Sequence, residues 1–105
     1  MNLCMLTIII PTTLEDVVID WMLEQSDITG FNSSSIYGHG SDETKMSIAE
    51  RVTGKSQRVM FQTHVTESDA KNILTRLKKE FASSDIHYMI RPLIDAGNLM
   101  SYEEE

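Results

Sequence analysis

Hydrophobic residues along this chain follow two rhythms, alternation and a helical stripe, and the two take turns. "LCMLTIII" at residues 3–10 is a β-branched-rich run that Pro11 closes. Leu14, Val17, Val18, Trp21 and Met22 then recur at helical spacing. Thr13 stands three residues before Asp16 as a capping-box start, and the helix ends near Gln25. Gly30 turns the chain into "FNSSSIYG", a serine-rich strand. "RVMFQTHV" at 58–65 alternates cleanly. Thr66, three residues before Asp69, opens a second helix with the stripe Ala70, Ile73, Leu74, Leu77 and Phe81. A short "SSD" turn leads into the last strand, "IHYMIRPLI".

The order β-α-β-β-α-β predicts an α+β fold of one domain over 1–105. It is a ferredoxin-like sandwich, an antiparallel sheet with two helices on one face. The other face then has no cover within the chain. Alternation assigns it Met5, Thr7, Ile9, Met60, Gln62, His64, His87, Met89 and Arg91. Three methionines and an isoleucine make that face too apolar for water, which predicts a homo-oligomer. His64 and His87 on this face, with Met60 and Met89, are either packed interface residues or soft ligands for a transition metal ion, and His39 in the loop is a third candidate.

Residues 39–57 fit neither rhythm, and a loop of that length in a compact domain tends to be functional. Gly38 and Gly40 flank His39 at its start, where they permit positive φ or close backbone approach. Ser47 to Glu50 reads as a capping box and Gly54 as a helix stop. That places Ile48 and Val52 on a small apolar surface for a protein partner, with Lys45 and Lys55 beside it. Gly38, His39, Gly40 and Arg58 form a candidate site for a small anionic effector at the loop base.

Composition narrows the options. Of 105 residues 41% are hydrophobic and 24% charged, a globular balance. The net charge of −7 argues against nucleic acid and anionic membrane as partners. The longest apolar run is too short to cross a bilayer and lacks the flanks of a secretory signal, which excludes membrane insertion by that run. Cys4 is the single cysteine, so no internal disulfide forms and a cytoplasmic address is expected. The last residues, 98–105, read as an acidic, solvated tail. Catalysis lacks a motif: the acids at helix starts answer the helix dipole, and the histidines have no neighbouring nucleophile. The chain is read as a binding protein and not an enzyme.

"GFNSSSIYGHG", "SIAERVTGKSQRVMFQ" and "IHYMIRPLIDAGNL" resemble the PII signalling superfamily. They look most like a small PII-like family often encoded beside heavy-metal efflux systems. The resemblance implies a cytoplasmic homotrimer in which residues 39–57 are the mobile T-loop. It also implies a regulatory, metal-resistance-linked role with an efflux component as partner. One departure bears on the ligand. Where PII proteins carry a glycine- and lysine-bearing phosphate loop before the last strand, this chain has Ser83-Ser84-Asp85, which lacks the positive charge that phosphate needs. A CutA-like divalent-cation-binding protein and a structural adaptor docking an efflux pump are the alternative readings.

Overall fold

The computed structural model describes residues 2–39 and 56–104. Its main elements are β1 (Leu3–Pro11), α1 (Glu15–Leu23), β2 (Asn32–Gly38), β3 (Ser56–Thr66), α2 (Glu67–Glu80) and β4 (His87–Pro92). The strands form one antiparallel sheet in the order β2-β3-β1-β4. This is the expected ferredoxin-like arrangement.

Alternation decides which face of the sheet is covered. Cys4, Leu6, Ile8 and Ile10 of β1 are buried beside Val59, Phe61, Thr63 and Val65 of β3. Val18 and Met22 of α1 and Ala70, Ile73 and Leu77 of α2 close over them. The rings of Phe31 and Phe61 meet edge to face at 5.8 Å, and those of Trp21 and Phe81 at 6.2 Å. The one hydroxyl on this face of β3, that of Thr63, donates to the Gly30 carbonyl at 2.7 Å and so is not left unpaired.

The start of α1 departs from the sequence expectation. Thr13 does not cap it. Thr12–Leu14 form a 3-10 turn after Pro11, and Leu14 occupies the N-cap position with no side-chain bond. The Thr12 carbonyl accepts the Glu15 N–H, and Glu15 and Asp16 supply the negative charge that the helix start favours. At the other end, the Gln25 amide donates to the Trp21 carbonyl at 2.9 Å. Arg76 on α2 reaches across to Gln25 and Asp27, at 2.9 and 2.6 Å, and fastens the α1–β2 connection to the second helix.

α2 starts as the sequence indicates, with the Thr66 hydroxyl accepting the Asp69 N–H at 3.1 Å. Thr66→Ala is expected to cost about 1 kcal/mol, read as a lower urea midpoint at unchanged slope. Next to it, a hydrogen bond from Lys71 and its charge, with a second bond from Asn2, hold the Glu67 carboxyl below its ordinary pKa. A depressed carboxylate stabilises the fold above its ordinary pKa, and that contribution is lost as pH falls through the lowered one. At this exposed position the contribution is small and salt-screened.

Candidate functional site

The strand register sets the open face in rows. Ile9 lies between Met60 and His87, Thr7 between Gln62 and Met89, and Met5 between His64 and Arg91. Ser34 extends the Met60 row, and Ile36 sits opposite Arg58. Thr7 is only 1% exposed although α1 and α2 lie on the other face, and Gln62 donates to its hydroxyl at 3.4 Å. Met5, Ile9 and Met60 are half-buried, whereas Met89 is exposed.

At the end of this face where β2 finishes, four residues predicted or noted from the sequence come together. Gly38 pairs with Ser56, and a Cβ on Gly38 would lie 3.9 Å from Cγ of Arg58. The Gly38 backbone does not use positive φ, and a Cβ there would meet only ordinary contacts, so neither expected reason for glycine applies at this position. The Arg58 guanidinium donates to the Gln57 carbonyl at 3.0 Å and faces the Asp85 carboxylate at 3.9 Å. The other oxygen of Asp85 lies 3.2 Å from Nε2 of His87, an ion pair whenever that imidazole is protonated. Arg58 is largely buried here, its side chain 16% exposed, while His87 stands in solvent.

Gly38 and Arg58 lie near the facing ends of β2 and β3, and His39 follows at the strand end. Asp85 is the member that sequence reasoning did not place in the site. Asp85 lies in the turn before β4, where strand alternation gives no signal for it. Among the described residues the cluster is one guanidinium beside one carboxylate, so an anion approaching Arg58 competes with Asp85.

The three candidate metal ligands do not converge. His64 and His87 belong to rows four residues apart along β1, about 13 Å, and His39 lies beyond the far end of β2. Among the described residues no three His, Cys, Asp or Glu side chains are grouped to hold a metal ion. Cys4 is buried in the core, and burial, with a lesser push from the charge of Glu67, raises its thiol pKa. A thiol so placed is a poor nucleophile. Among the described residues no helix is long and apolar enough to cross a membrane. Gly40, Lys45, Ile48, Val52 and Lys55 lie outside the described residues.

A model of a protein family of unknown function, DUF3240, matches residues 1–100. No curated protein matches the chain by sequence. Among solved structures, a DUF3240 family protein from Shewanella baltica superposes with a TM-score of 0.76 at 19% identity, over 94% of this chain and 98% of that one. The PII-like nitrogen regulatory protein CPII from Thiomonas intermedia, bound to ADP, AMP and bicarbonate, gives 0.68 at 16% identity, over 94% and 98%. A PII-like signalling protein from Thermus thermophilus gives 0.62 at 22% identity, over 88% and 86%. At these identities the likeness is one of fold.

Proposed function

The chain belongs to the DUF3240 family, and on the geometry above we propose that it is a non-enzymatic PII-like regulatory sensor whose effector is a small anion bound at Arg58. It works as a cytoplasmic homo-oligomer, trimeric by resemblance, and meets a protein partner through the segment between β2 and β3. The observation that carries the reading is the place of Arg58 near the start of β3, where that segment ends, with the Asp85 carboxylate 3.9 Å from its guanidinium. An anion at Arg58 then acts at the root of the segment. CPII, similar in fold, is bound to ADP, AMP and bicarbonate. The Arg58 cluster favours the smallest of these. A single guanidinium partly offset by Asp85 matches one negative charge, and Ser83-Ser84-Asp85 offers a polyphosphate no cation.

Thermal unfolding with bicarbonate, AMP, ADP and Zn²⁺ tests this. A saturating ligand at a hundred times its dissociation constant adds about 2.7 kcal/mol, a shift of roughly 10 °C. Bicarbonate is expected to give it, and Arg58→Ala to remove it. Asp85→Asn removes the competing carboxylate and is expected to tighten bicarbonate by up to about fivefold, the range of a partly exposed ion pair. No shift with any anion would overturn the sensor reading in favour of an adaptor. Weaker binding in Asp85→Asn would mean that Asp85 positions Arg58 and does not compete for it.

A further inference from the structure

Beyond β4 the chain is tied to the sheet once more, by the Leu93 N–H donating to the Leu3 carbonyl at 3.0 Å. From Ile94 onward it forms an arm. The arm is locally built: Asn98 Oδ1 accepts the Met100 N–H at 2.9 Å, its carbonyl accepts the Ser101 N–H at 2.9 Å, and the Leu99 carbonyl accepts that of Tyr102 at 3.1 Å. This capped turn shapes a segment whose large apolar side chains stand in solvent. Ile94 is 107% exposed, Leu99 85%, Met100 95% and Tyr102 65%. Isolated exposed apolar residues are ordinary, but a run of them fixed on one short turn marks an interaction surface.

The body has a receptor of matching chemistry. Between α2 and β4 runs a cleft of about 480 Å³ floored by Leu74, Leu77, Phe81, Ile86 and Tyr88, with Lys78 on its wall. Tyr88 is 61% exposed there. β4 has β1 as its one neighbour among the described residues, so the outer side of the cleft is an open strand edge. The charges correspond as well. The arm continues from Tyr102 into Glu103 and Glu104, and the cleft carries Lys78 with Lys79 beside it at the end of α2.

We propose that the arm of one copy docks in the α2–β4 cleft of a second copy, Leu99, Met100 and Tyr102 entering the apolar floor and Glu103 and Glu104 meeting Lys78 and Lys79. The second copy is the occupant because, among the described residues, each chain presents both halves of the contact: an apolar turn ending in acids, and an apolar cleft edged by lysines. Such a contact is heterologous, one face giving and another receiving, so it closes as a ring when the rotation allows. Apolar burial supplies the attraction and the charges set the direction in which the arm lies. The inference does not rest on the effector reading.

Disulfide trapping tests it on the full chain without ligand. One population carries Ser101→Cys, the other Ala82→Cys in the cleft wall, and the two are mixed and mildly oxidised. A covalent dimer in the mixture is expected, well above either population alone, Cys4 being buried in both. Lys78→Glu in the cleft partner is expected to lower the yield at least fivefold, and Glu103→Lys with Glu104→Lys in the arm partner to restore it. The positions are exposed, and circular dichroism checks that each variant folds. Absence of the mixed dimer overturns the proposal. So does a chain carrying both cysteines that closes on itself without forming dimers, because the arm would then fold back onto its own cleft. Yield indifferent to the charge changes overturns the assigned direction.

Discussion

Phe61→Ala is expected to lower stability by about 3–5 kcal/mol, the range for deleting a buried aromatic ring. The ring is fully buried in β3, which has a neighbour on both sides, and α1 and α2 cover that face of the sheet. Three losses coincide: transfer of the ring atoms, the cavity they leave, and the edge-to-face contact with Phe31, itself worth about 0.5–1.5 kcal/mol. Against a total stability of about 5–15 kcal/mol, this is a large fraction. Urea unfolding would show the midpoint falling at unchanged slope. A loss under about 1 kcal/mol would mean that Phe61 is not at the centre of the core.

Ile73→Ala is expected to cost about 3 kcal/mol, and to cost it unevenly. α2 buries Ala70, Ile73 and Leu77 and is otherwise largely polar. A helix of 14 residues is marginal in water by itself, so most of its stability comes from that stripe resting on the sheet. Removing the middle residue of the stripe should free the helix before the sheet. Native-state hydrogen exchange would then show α2 amides losing protection ahead of those in β1 and β3. Lys71→Ala, on the exposed side of the same helix, should stay within about 0.5 kcal/mol. If all elements lost protection together, the helix and sheet would form one cooperative unit.

What the chain revealed before folding was what depends on periodicity. The alternation in Arg58–Val65 continued through its neighbours into β3, and the stripe from Ala70 to Leu77 lay on the covered side of α2. β2 read weakly because Ser33, Ser34 and Ser35 are exposed on either side of the sheet and carry no apolar rhythm. The start of α1 differs from the capping-box pattern because Pro11, with φ of −61°, leads into a 3-10 turn ahead of any side-chain cap. Asp85 escaped notice as a site residue for a different reason. Its approach to Arg58 crosses from the start of β4 over β1 to β3, a relation set by register between distant strands. The acids at the end of the arm predict a solvated tail, and Asn98 gives its apolar part a defined turn. His39, His64 and His87 share a residue type, but register spaces them apart.

The strand order also bears on how the protein is made. β1 is drawn from the first residues of the chain, yet both of its neighbours, β3 and β4, come from the second half. Neither half owns a finished sheet. A growing chain has β1 in hand from the outset but cannot give it a partner until residues 56–66 are synthesised, nor its second partner until Pro92 has left the ribosome. The most apolar strand of the protein therefore waits with both edges open until β3 emerges, and with one edge open until β4 does.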